Sequence, residues 1–205
     1  MTEKTLESYL PPDKRKKPES PLVPSALTKK KWTGTLPDKF LATMVSQVSE
    51  HNINTWVHHL TSYHTRHSTS VYIDQVASWL IQRFQGFGYT EVAPHSYTKE
   101  GHQLQNIVCK KNGAANTGQV IILCAHYDCR MENGNDDVAR APGADDNASG
   151  IVVLMEIARI LKNVELEDDV QFVCFSGEEQ GYWGSTAYAE YLKENSINVH
   201  RLINL

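Results

Sequence analysis

Apolar positions divide the chain into a helical stretch followed by a stranded one. From Pro37, PDKFLATMVSQVS spaces Phe40, Met44 and Val48 four apart with Leu41 beside them, which predicts an amphipathic helix. A second follows in NINTWVHHLTSYHTRH through Ile53, Val57 and Leu60. A third, in VYIDQVASWLIQRFQGFGY, carries Ile73, Val76, Leu80 and Phe84 and stops at Gly86 and Gly88. The period then changes. YTEVAPHSY and QNIVCKK read as a strand pair at a sheet edge, since Pro94 cannot donate to a ladder in mid-sheet. QVIILCA and DVQFVCF are short continuous apolar runs, as strands covered on both faces require. GIVVLMEIARILKNV is long, apolar and free of proline, hence a helix buried against the sheet. STAYAEYLKEN is a further helix, and HRLINL begins a last strand. Strands alternating with helices predict an α/β domain with a largely parallel centre and no internal repeat.

Composition narrows this picture. The chain has 205 residues, 40% hydrophobic and 21% charged, enough for one domain with a proper core. A net charge of −4 argues against a nucleic-acid partner. The basic residues Lys14 to Lys17 and Lys29 to Lys31 lie in a Pro- and Lys-rich leader, residues 1–36, expected to be disordered or loosely packed, ahead of a domain from 37 to 205. No apolar run is long enough to span a bilayer, so no membrane partner is expected. The start lacks the apolar centre of a secretory signal, which predicts a cytoplasmic protein, or a secreted or periplasmic one if translation begins upstream. Cys109, Cys124 and Cys174 sit in strand-like runs as small buried hydrophobes, and Cys129 follows the HYD motif. The chain stops at Leu205 inside an apolar run without a turn or cap, which reads as an interrupted domain.

The chemistry collects where the buried strands end, which is where open α/β sheets bind ligands. QVIILCA runs into His126, Tyr127 and Asp128, and DVQFVCFSG runs into Glu178 and Glu179. Between them, APGADDNASG brings Asp145 and Asp146 to the start of a helix. One histidine and several carboxylates at one sheet edge suit a borderline-to-hard divalent metal. Residues two apart on an extended chain point the same way, so Asp128 can fix the tautomer of a metal-bound His126. Of two adjacent glutamates, one can bind metal while the other serves as base toward a water. Taken singly, each motif has a plainer reading: a polar strand end, a helix cap from Asp146 or Asn147, a solvated first turn. Their order and shared location favour the metal site.

LCAHYD, APGADDNASG and FSGEEQGYWGS, in this order, resemble peptidase family M28, the zinc metallopeptidases, and its bacterial aminopeptidases in particular; TSYHTRHS and LQNIVC add to the likeness, which covers roughly residues 40–205. The resemblance implies a three-layer, zinc-exopeptidase-like (phosphorylase/hydrolase-like) α/β fold with a mixed, centrally parallel sheet, incomplete at the C-terminus. It implies two zinc ions per complete site, with His126 on one, Asp145 bridging both and Glu179 on the second. Glu178 is then the general base and Asp128 the partner of the histidine, the peptide bond between Asp145 and Asp146 is commonly cis, and the substrate is a peptide with a free N-terminus. Two further ligands of the family pattern, an aspartate after the HRLINL strand and a later histidine, fall beyond Leu205. The chain as it stands is therefore expected to hold zinc weakly and to be inactive. The alternatives are a glutaminyl cyclase- or carboxypeptidase-like member of the fold, or a non-catalytic scaffold. His58, His59, His64 and His67 are expected to be structural or solvated, Asp136 and Asp137 to lie in a solvated loop over the site, and Cys129 to be a packed or exposed thiol.

Overall fold

A computed structural model describes residues 38–132, 134 and 136–205; the leader expected over residues 1–36 lies outside these. The chain divides into two compact units, residues 1–42 and 43–205. Helix α1, Asp38–Val45, spans the division.

The second unit holds the remaining elements. Helix α2 (Glu50–Ser62) starts at Ser49, whose hydroxyl accepts from the Asn52 amide, and α3 (Ile73–Gly86) follows. Strands β1 (Glu91–Lys99) and β2 (His102–Lys111) form a hairpin closed by Glu100 and Gly101, both at positive φ, a turn whose twist matches that of the strands. Strand β3 (Gln119–His126), helix α4 (Ser149–Leu161), strand β4 (Asp169–Phe175), helix α5 (Trp183–Glu194) and strand β5 (Asn198–Asn204) complete the order. The sheet runs β1-β2-β4-β3-β5. Its β4-β3-β5 part is parallel, while β2 joins β4 antiparallel and β1 joins β2 antiparallel. The mixed sheet with a parallel centre is the one the pattern predicts. The first helix is shorter than its apolar rhythm, because Ser49 starts α2 afresh just after Val48.

Alternation along β4 explains the layering. Val170, Phe172 and Cys174 face α2, α3 and α4, whereas Val173 and Phe175 face α5. Strand β3 splits in the same way, with Leu123 and Ala125 on one side and Val120, Ile122 and Cys124 on the other. Both faces being covered, the strands read as unbroken apolar runs. Three layers result: α2, α3 and α4, then the sheet, then α5. The edge strand β5 is exposed along its length, including Leu202 and Ile203. No described helix is long and apolar enough to cross a membrane.

Candidate functional site

Strands β3 and β4 are parallel neighbours with His126 opposite Phe175, so the segments that leave their carboxyl ends meet at one sheet edge. His126 has the parity of Ile122 and Cys124 and lies on the α5 side, where a pocket of about 380 Å³ is lined by His126, Asn147, Glu178, Tyr182 and the apolar Ile122 and Phe175. A cavity of similar size against β1 shares only Tyr188 with it.

Two residues on, Asp128 is fully buried. Its Oδ1 accepts from the Glu178 amide at 3.3 Å and its Oδ2 from the Glu179 amide at 3.2 Å. One buried carboxylate thus holds the backbone of both glutamates, and their N–H groups compensate its lost hydration. The two preceding amides are held as well. Ser176 N–H donates to Asn106 Oδ1 on β2, and Gly177 N–H to the Ser68 hydroxyl after α2. Four successive amides are therefore tied to side chains from three separate parts of the chain. Gly184 allows this: a Cβ there would overlap Asn106 Oδ1 and the Ser176 carbonyl.

The aspartates lie on an irregular turn, Ala144–Ala148, entered through Gly143 at φ +50, where a Cβ would strike Cys129 and the Asp146 carbonyl. Arg66 clamps this turn. Its guanidinium is fully buried and donates to the carbonyls of Leu60, Tyr127, Pro142 and Gly143, joining the end of α2 to β3 and to the turn. Burial pulls its pKa down, with Cys129, Asp128 and Asp146 acting the other way.

His126 Nε2 lies 3.0 Å from Asp146 Oδ1, and its buried Nδ1 lies 3.5 Å from Asp128 Oδ1, near enough for charge attraction but without a hydrogen bond. The structure brings His126, Asp128, Glu178 and Asp146 together. It does not bring Asp145 to the histidine; that residue is exposed and its carbonyl accepts from the Ser149 hydroxyl. The cis peptide bond, expected between Asp145 and Asp146, lies one residue later, between Asp146 and Asn147. Both aspartates are exposed; two identical neighbours carry nothing in sequence to say which reaches the histidine, and the path of the turn decides it. Asn147 Oδ1 accepts from the Gly150 amide and so caps α4. Glu179 Oε2 is engaged by Arg130 Nε at 2.6 Å.

The local field is legible in two groups. Burial alone would lower the pKa of His126, but the nearby carboxylate of Asp128, with Glu178 and Asp146, outweighs it and raises the pKa. Glu178 is raised above the ordinary carboxylate range, first by burial, which His126 opposes and to which Asp128, Glu179 and Asp146 each add.

His126 and Asp146 supply two convergent donors, and a cation on Nε2 would leave the Nδ1 proton facing Asp128. Among the described residues, however, no three His, Cys, Asp or Glu side chains are grouped to hold a metal, and zinc normally takes at least three. The residues fit zinc only in part.

Several residues that build the site were given no role in the sequence reading: Arg66, Ser68, Asn106, which lies in LQNIVC, and Arg130. Arg66 and Ser68 lie in TSYHTRHS, which added to the family likeness without any role for them. In the same segment His67 is buried against the site loop, its Nε2 3.1 Å from Gln180 Nε2, although it is far from that loop in sequence. His59 stacks on Trp79 and His64 meets the Val138 carbonyl. Cys129 is a packed thiol that donates to the Ala141 carbonyl, and all four cysteines are buried and unpaired. Asp137 accepts from Thr69, while Asp136 Oδ1 accepts from the Val138 amide within its own loop.

The model of "Peptidase family M28" matches residues 106–205. A probable zinc metalloprotease of Pyrenophora teres f. teres is 31% identical over 186 residues, covering 82% of this chain and 38% of that protein. The aminopeptidase YwaD of Bacillus subtilis is 36% identical over 94 residues, 45% of this chain and 19% of that protein. Among solved structures, the LapA aminopeptidase of Legionella pneumophila superposes with a TM-score of 0.70 at 23% identity, covering 88% of this chain and 49% of that one. A glutaminyl cyclase of Fimbriiglobus ruber superposes at 0.66 with 19% identity, covering 77% and 61%. These two likenesses show a shared fold. The chain spans less than half the length of the curated relatives it matches first. Through residues 106–205 this chain belongs to peptidase family M28.

Proposed function

We propose that these strand ends form one wall of a zinc-dependent metallopeptidase site that hydrolyses N-terminal peptide bonds, with Glu178 as general base. The observation that carries the reading is the convergence of His126, Asp146 and Glu178 around buried Asp128. Asp146 takes the part expected of Asp145 as a metal donor. The name of YwaD supports the aminopeptidase assignment and those of the fungal relatives support zinc.

Within this reading, bound zinc supplies polarisation of a carbonyl and a more acidic water. The chain's own residues do the rest. Asp128 orients His126 and holds the Glu178 backbone, so that the Glu178 carboxylate stands at a fixed place beside the pocket. Its raised pKa makes it a better proton acceptor than an ordinary glutamate, able to take a proton from water and return it to the leaving amine. The apolar wall of the pocket keeps bulk water from competing.

Hydrolysis of an aminoacyl-arylamide in zinc-containing buffer, in the protein that carries this domain, tests the base. Glu178→Gln should lower kcat by about 10²- to 10⁴-fold while zinc binding persists. Retained turnover in Glu178→Gln rejects Glu178 as the base. Zinc binding unaffected by His126→Ala rejects the metal assignment.

A further inference from the structure

A cavity of about 400 Å³ lies over the β1–β2 hairpin beside α5. Strand register builds it. Glu91 pairs with Lys110, Ala93 with Val108 and His95 with Asn106, so these side chains share one face of the hairpin. Val108 belongs to the core under α5, which identifies that face. Ala93 and Val108 make a small apolar floor. Aromatic rings stand at one end: Tyr188 and Tyr191 of α5 stack with centroids 5.6 Å apart, and His95 meets each edge-on at 5.0 Å. Lys110 stands at the other end, four residues along the strand and about 13 Å away.

Neighbouring groups fix the polar atoms of this cavity. Asn106 is fully buried; its Oδ1 accepts from the Ser176 amide and its Nδ2 donates to the Gly184 carbonyl. With the amide oriented in that way, Nδ2 also donates to His95 Nδ1 at 3.2 Å. A ring that accepts at Nδ1 carries its proton on Nε2, and burial, by lowering the His95 pKa, favours the neutral ring. Among the described residues, neither that N–H nor the Lys110 ammonium meets an acceptor. Glu91, opposite Lys110, has its Oε1 taken by Asn112 Nδ2 at 2.8 Å.

One neutral and one cationic donor, set apart by an apolar floor beside aromatic rings, complement a flat molecule with an acceptor at one end and a negative charge at the other. The spacing also sets its length. A carboxylate attached directly to a single ring is too short to reach both donors, whereas a ring extended by a short arm is long enough. We infer that this cavity binds a small arylalkyl or arylalkenyl carboxylate, its ring beside Tyr188, Tyr191 and His95, a ring acceptor on His95 Nε2 and its carboxylate on Lys110. The site needs no metal and is independent of the peptidase reading. It adjoins the support of the Glu178 loop, because Asn106 holds the Ser176 amide and Tyr188 lines both pockets.

Calorimetric titration of the protein that carries this domain with 4-hydroxycinnamate tests the inference. One saturable equivalent is expected, with a Kd of about 1 mM or lower for a ligand of this size. Cinnamate, which lacks the ring acceptor, and 4-hydroxycinnamyl alcohol, which lacks the charge, should each bind about fivefold more weakly. Lys110→Gln, at an exposed position, should weaken 4-hydroxycinnamate about fivefold and leave the alcohol unchanged. Ala93→Phe fills the floor from an exposed strand position and should abolish binding with little change in Tm. No saturable binding up to about 10 mM would overturn the inference. So would cinnamate or the alcohol binding as tightly as 4-hydroxycinnamate, or wild-type affinity in Lys110→Gln or in folded Ala93→Phe.

Discussion

Two glutamates, Glu156 at the α2–α4 junction and Glu178 at the end of β4, are both withdrawn from solvent, yet their surroundings push them in opposite directions. Glu156 is 4% exposed and fully partnered: Oε1 accepts from the Ser49 amide and Arg159 Nη2, and Oε2 from Arg159 Nε. Burial alone would raise its pKa, but these donors outweigh it and the pKa is lowered. Glu178 faces burial and like charges with only His126 against them, and its pKa is raised. The first glutamate fastens α2 to α4. The second is held in place by its backbone while its carboxylate stays poorly compensated, the state a base needs.

Removing each carboxylate breaks that comparison open. Glu156→Ala strips partners from a buried N–H and from Arg159 and should cost about 3 kcal/mol in urea unfolding. Ser68→Ala leaves the buried Gly177 amide without its acceptor and should cost about 1–2 kcal/mol. In an active protein it should also lower kcat more than it raises KM, because the loop it holds carries Glu178. Glu178→Gln should be neutral or stabilising by up to about 1 kcal/mol, since it removes a like charge, while lowering kcat by about 10²- to 10⁴-fold. A Glu178→Gln variant as destabilised as Glu156→Ala would place Glu178 among the structural ion pairs.

Acidity sharpens the same contrast. Glu156, lowered on folding, adds stability that is present above its unfolded pKa and lost as pH falls through the folded value. Glu178, raised on folding, adds stability that is present at low pH and lost as pH rises through its folded value, above the ordinary carboxylate range. The difference in ΔG between wild type and Glu156→Gln should therefore shrink toward acid, and that for Glu178→Gln should grow in favour of the variant toward neutral pH. The same sign for both would remove the distinction.

Much of the fold was legible because its pattern is local. The unbroken apolar runs of β3 and β4 and the long apolar α4 follow from burial on both sheet faces, and the strand ends marked the site. Glu156 was hidden for the same reason: within an apolar helix one acidic residue carries no sign of the Ser49 amide and Arg159 that await it. Arg66 fell within the stretch read as the second helix, yet it lies beyond the end of α2 and is buried against four carbonyls. Long-range hydrogen bonds of this kind have no period to detect.

By itself the sequence determined the alternation of strands and helices, the sheet edge at which His126, Asp128, Glu178 and Glu179 gather, and the family likeness, since all of these rest on residue order and short spacing. Tertiary structure alone decided that Asp146 rather than Asp145 faces His126, that Asp128 holds the amides of both glutamates, and that Arg130 claims Glu179. Each of those depends on where one part of the backbone passes another, and adjacent residues of equal charge and size cannot announce which of them will meet the histidine.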